Sequence, residues 1–173
     1  MYKRILVPVD ASAASNRALQ EAITLARLTG GRLRLVHVCD ELALARVLES
    51  YQGRYDEWVN AVREEGQALL DQQRTSALSR GVESDALLLD NTSARLAELI
   101  TAEADQWKAD LVVIGTRGRR GFDRMMMGSG AESIARVSNV PVLLVHAAQP
   151  ELHEIKVDQP IRVSLPSAAL RIE

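Results

Sequence analysis

Short apolar runs, each about a strand long, alternate in this chain with stretches whose apolar residues return every three or four positions; that alternation leaves few architectures open. The first run, residues 5–9, reads Ile-Leu-Val-Pro-Val, the continuous pattern of a strand covered on both faces. Further strands are expected over 33–39, 82–89, 111–115 and 140–146. Helical spacing occupies 12–28, where Ala18, Ala22 and Leu25 run beside Leu19, Ile23 and Ala26, and Gly30-Gly31 supplies a left-handed stop. A second helix puts Tyr55, Trp58, Val59, Val62, Leu69, Gln73 and Ala77 on one face, with an irregular start near 50–55 and an end at Gly81. A third, capped by Thr92 or Ser93, carries Leu96, Leu99, Ile100, Ala104 and Trp107, and a fourth runs from Ser129 to about Ser138. Strands joined by helices make βαβ units, which right-handed crossovers gather into one doubly wound five-stranded parallel sheet of the α/β class. The expected order is 3-2-1-4-5. Such sheets bind ligands beyond the carboxyl ends of their strands, where strand order reverses. Here that lies between strands 1 and 4, so Asp10 and Gly115 should face one crevice.

Residues 115–130 read Gly-Thr-Arg-Gly-Arg-Arg-Gly-Phe-Asp-Arg-Met-Met-Met-Gly-Ser-Gly, opening from the fourth strand and ending on a helix. Glycines let a backbone approach a ligand with no Cβ in the way, and successive free N–H groups make an anion-binding concavity. The helix that follows turns its positive end to the same place. Ser129 with Glu132 reads as a capping box, which would occupy the Ser129 hydroxyl. Four arginines, Arg117, Arg119, Arg120 and Arg124, fall within eight residues here, whereas 41–110 hold 14 acidic and 7 basic residues. The acidic stretch reads as a solvated face. A Walker P-loop is absent, a Rossmann fingerprint would lack its last glycine, and there is no nucleophile elbow.

The spacing Gly115-x-x-Gly118, nine residues, then Gly128-Ser129 resembles the G-2x-G-9x-G-[ST] signature of ATP-binding universal stress proteins. The likeness extends over 1–146: Lys-Arg-Ile-Leu-Val-Pro-Val-Asp at 3–10, Leu-Val-His-Val at 35–38, Ala-Asp-Leu-Val-Val-Ile-Gly-Thr-Arg-Gly at 109–118 and Ser-Asn-Val-Pro-Val-Leu-Leu-Val at 138–145. It implies an adenine-nucleotide α-hydrolase-like fold that binds ATP, with Mg2+ able to arrive on the phosphates. By the same likeness Pro8, Val9, Asp10 and Val38 hold the adenosine. Gly115, Gly118, Gly128, Ser129 and Gly130 cradle the phosphates, and Arg117 and Arg119 add charge-assisted bonds. Two departures stand out. Gly130 occupies a place often apolar in the family, and the turn after strand 3 reads Asp90-Asn91-Thr92-Ser93 instead of a Gly-x-Pro-like turn. The resemblance also implies a homodimer through strand 140–146, a wholly apolar run that would form a bare sheet edge. Residues 147–173 lie beyond the family domain. Pro150, Pro160 and Pro166 forbid a long helix there, and the alternation Ile161, Val163, Leu165 suggests an extended segment packed on the domain or a partner.

Composition narrows the functions. The chain has 173 residues and a formal charge of −2, with six aromatic residues. It offers no electrostatic footprint for nucleic acid or membrane and no stacking surface for single strands. The lone Cys39 cannot make an internal disulfide, no Cys/His spacing suggests a metal, and residues 5–9 are too short for a secretory segment, so a cytoplasmic protein is expected. His37 reads as a core residue and Met125-Met126-Met127 as packing. No base is positioned to activate water and no catalytic residue stands out. The expected function is therefore stress-response regulation through nucleotide-linked conformation or assembly. The alternatives are a scaffold binding AMP, cyclic AMP or no nucleotide, and, further off, a slow ATPase or an adenylyl-transfer enzyme. The last uses a Ser-Gly-Gly-x-Asp-Ser loop after strand 1, where this chain reads Asp10-Ala11-Ser12-Ala13-Ala14-Ser15.

Overall fold

A computed structural model of the chain describes residues 1–40, 55–91, 94–116 and 128–147. The expected tail strand and the irregular start of the second helix near 50–55 fall outside the described residues. Along the chain run β1 (Arg4–Pro8), α1 (Ala13–Thr29), β2 (Arg32–Asp40), α2 (Tyr55–Leu78), β3 (Ser84–Asn91), α3 (Leu96–Trp107), β4 (Leu111–Gly115), α4 (Ser129–Val137) and β5 (Val142–Val145). The strands form one parallel sheet in the order β3-β2-β1-β4-β5, as the sequence predicts.

Alternation along β1 divides the interior in two. Ile5, Val7 and Val9 join α1 and α2 in one core, with Leu19, Ile23, Leu33, Leu35 and Leu70. Leu6 points the other way, into a core built with Val36, Val112 and the inner faces of α3 and α4. Ile5, Leu6 and Val7 are wholly buried, and each such side chain contributes about 1.5–3 kcal/mol relative to exposure. The start of β1 is anchored by the Asp110 carboxylate, which accepts the Lys3 and Arg4 N–H groups at 2.6 and 3.0 Å.

Helix ends follow local chemistry. The Ser12 hydroxyl caps α1 by accepting the Ser15 N–H at 3.1 Å, and Gly30, at φ 62°, closes it in the left-handed conformation. Gly66 lies inside a continuous α2, where a Cβ would come within 2.8 Å of the His37 ring and 2.9 Å of Leu88. The glycine that weakens the helix lets it lie close on β2 and β3. Trp58, expected on the buried face of α2, is 51% exposed. The core face carries the expected Val59 and Ala77, with Gly66 and Leu70 buried between them.

Three boundaries shift. β3 starts at Ser84 and runs to Asn91, because it pairs with β2 as far as Asp40. β5 begins at Val142: Pro141 has no N–H for the ladder, although its carbonyl accepts from Val112, and the Ser138 hydroxyl turns the chain just before it. The N-cap of α3 is Arg95, not Thr92 or Ser93, which lie outside the described residues. The Glu98 carboxylate reaches back to the Arg95 N–H at 3.3 Å, and the Asn91 side chain accepts from Ala94.

At the amino ends of the strands three arginines gather on one indole. The guanidinium carbons of Arg4, Arg34 and Arg32 lie 4.6, 4.9 and 5.6 Å from the Trp107 ring centroid. Arg34 makes a two-pronged pair with Asp85 (2.7 and 2.9 Å) and a third bond to Glu103 (2.7 Å), which raise its pKa and fix its charge. The Glu103 side chain is 8% exposed. Replacing Arg34 by Ala strands that carboxylate, so R34A is expected to lose about 3 kcal/mol of stability in urea unfolding.

Candidate functional site

The order reversal between β1 and β4 opens a crevice at the carboxyl ends of the strands, because the chain leaves β1 for the α1 face and β4 for the α4 face. Contacts link the two sides. The Asp10 carboxylate accepts the Ser12 N–H and the Asp10 N–H donates to the Ser15 hydroxyl, both at 2.9 Å, so the turn after β1 is fixed on the first turn of α1. That turn lies directly on Gly115. A Cβ there would meet the Ala14 carbonyl carbon at 2.6 Å and the Ser15 nitrogen at 2.7 Å. Next to Gly115, the Thr116 carbonyl accepts the Gly128 N–H at 2.7 Å, which brings the start of α4 to the same mouth.

Pro8 and Asp10 close the end of β1, and Val38 lies beyond Val36, the register partner of Pro8. Val38 packs half-buried on the α3–α4 face. Val9 differs from the sequence expectation in kind. Its side chain belongs to the opposite core, its N–H donates to Val36, and its carbonyl pairs with His37 Nδ1 at 2.7 Å. Val9 therefore supports the crevice from behind. The Cys39 thiol faces the same way as Val9, buried beneath α2 near the Val62 carbonyl. Arg117, Gly118 and Arg119 lie outside the described residues.

The helix end departs from the expected capping box. Gly128 is the N-cap and Ser129 the first helical residue, so the Ser129 hydroxyl makes no cap bond. The Glu132 carboxylate pairs forward with Arg136 at 2.8 Å. A cap without a side chain leaves the amides of the first turn, Ser129, Gly130 and Ala131, without intrahelical acceptors and at the positive end of the helix dipole. At Gly130 a Cβ would touch a Leu96 methyl at 3.0 Å. Leu96, 40% exposed, thus covers α4 where the sequence has no side chain. Thr116, which no sequence motif singles out, also stands at this mouth. It is buried, its N–H donates to Val145 and its hydroxyl meets His146 Nδ1 at 3.0 Å. Its one signal was its place between a strand-ending glycine and a glycine loop.

The fold and crevice define a doubly wound α/β protein with an anion-ready helix end at its switch point. Residues 1–146 match the universal stress protein family, and the chain belongs to it. It is 30% identical over 151 residues to universal stress protein MJ0531 of Methanocaldococcus jannaschii, covering 87% of this chain and 86% of that relative. A universal stress protein family structure from Burkholderia pseudomallei superposes with TM-score 0.68 at 29% identity, over 85% of this chain and 97% of that one. The universal stress protein from Archaeoglobus fulgidus in complex with dAMP superposes with TM-score 0.60 at 26% identity, over 83% and 98%.

Because the atoms nearest a Cβ at Gly115 are backbone, G115A must displace the first turn of α1. It is expected to cost about 2 kcal/mol in denaturant unfolding, within the range for an overpacked core.

Proposed function

We propose that this chain is a regulatory protein that binds an adenine nucleotide, with ATP as the ligand, and acts through ligand-linked conformation or assembly. The observation that carries the reading is the first turn of α4, which no N-cap side chain covers among the described residues, at the order reversal and tied through Thr116 and Gly115 to the turn that presents Asp10. Free amides at a helix end suit a phosphate. The half-buried Pro8 and Val38 on one sheet face suit a purine and ribose, and Asp10 suits ribose hydroxyls. Gly118, Arg117 and Arg119 complete the phosphate grip in this reading, with Mg2+ carried by the phosphates. The dAMP complex of the Archaeoglobus fulgidus relative supports an adenine nucleotide as the ligand class. Residues 1–146 form the binding domain and 147–173 an extension beyond it.

A carboxylate or imidazole aimed at a terminal phosphate would favour the ATPase alternative; among the described residues, Asp10 is already bonded to its own turn. Calorimetry is expected to show ATP binding to the wild-type chain and none to Gly118→Val. Equal affinity in that variant would refute the loop assignment.

The same reading includes a homodimer through β5. The strand is an edge of the sheet and reads Val-Leu-Leu-Val, with Leu143 and nearby Val137 exposed by 38% and 50%. Among the described residues no strand pairs with its outer edge, and that edge and its apolar side chains favour a second copy over water. Light scattering is expected to give twice the chain mass, and Leu143→Lys to shift the protein toward monomer.

A further inference from the structure

We propose that Thr116 and His146 act together as positioning residues for the phosphate end of the site, a role that rests on the nucleotide reading above. Thr116 is 1% exposed and makes three hydrogen bonds in three directions. Its N–H donates to the Val145 carbonyl at 2.8 Å, its carbonyl accepts the Gly128 N–H at 2.7 Å, and its Oγ1 lies 3.0 Å from His146 Nδ1. It is therefore the joint of β4, the end of β5 and the start of α4. The segment 117–127 departs from it and returns to the residue bonded to its carbonyl.

The Thr116 carbonyl holds the Gly128 N–H, and Gly128 is the N-cap of the helix that begins at this mouth. A buried hydroxyl needs a partner. Here the partner is an exposed histidine one residue past the last strand, drawn in over the joint. The bond thus fixes the end of β5 to the neck of the loop. Without it the backbone bonds of Thr116 still hold Val145 and Gly128, but the residue past β5 no longer braces the Thr116 side chain, and the neck that aims the helix end is less firmly fixed.

Thr116→Val keeps the shape and puts a methyl in a buried site, and the freed His146 nitrogen is open to water, so the variant should fold. Titration calorimetry with ATP and with adenosine tests the role. Thr116→Val and His146→Ala are each expected to weaken ATP binding about five- to tenfold, the loss of one hydrogen bond, while adenosine affinity stays within about twofold. Thr116→Ser and His146→Asn, which restore a hydroxyl and a polar atom at the Nδ1 position, should recover ATP affinity. The double variant Thr116→Val/His146→Ala should be no weaker than either single one, since both remove the same bond. Wild-type ATP affinity in Thr116→Val, equal losses of ATP and adenosine, or additive effects in the double variant would overturn the assignment. A wild-type chain that binds neither compound would instead overturn the nucleotide reading and this inference with it.

Discussion

The close seating of the first turn of α1 on Gly115 is the contact on which the mouth of this protein depends. A backbone-to-backbone approach of this kind has no room for a side chain on β4. It fixes how far the chain can turn after β1, and so where Asp10 stands. Through Thr116 it fixes where α4 begins as well. The two cores on either side of β1 supply the driving force, and this contact converts the force into a defined crevice. Apolar burial has no direction of its own, so the geometry comes from a glycine and from a few hydrogen bonds at the strand ends.

The two ends of the sheet are built differently. At the amino ends, Asp110 holds the start of β1, and Arg34 is held between Asp85 and Glu103 beside Trp107. Those groups satisfy one another, apart from the buried Arg4 Nε, which has no hydrogen-bond partner among the described residues and lies by the Trp107 ring. At the carboxyl ends Asp10, Ser12, Ser15, Thr116 and His146 are joined by local bonds, and beside them lie the backbone amides of a helix start whose N-cap, Gly128, has no side chain. The first arrangement closes on itself, and the second has capacity left for a ligand.

Much of this was legible from residue order. Continuous apolar runs gave the strands, Ser12 and Gly30 marked α1, and the motifs spread over residues 3–145 pointed to the family. What escaped depended on contacts distant in sequence. Trp58 and Val59 are neighbours, and only the packing of α2 on β2, permitted by Gly66 above His37, decides which one turns inward. The Ser129–Glu132 pattern suits a capping box, yet the Thr116 carbonyl captures Gly128 and makes it the cap, leaving Glu132 to Arg136. The family likeness groups Val9 with the adenosine-binding residues, but strand alternation turns its side chain to the far core, where a histidine from β2 meets its carbonyl. Thr116 could be assigned no partner because His146 is thirty positions away.

The unequal borders of the sheet have a consequence for self-association. β3, on one flank, carries Asp85 and Asp90, each engaged with an arginine, and a charged flank resists strand addition. β5 on the other flank carries none. A molecule with a single adhesive border is saturated by one twin related through a two-fold axis, and no sticky border is left over. In the dimer proposed above, the apolar seam that could seed a fibre would thus be closed by its one twin, and growth would stop at the pair.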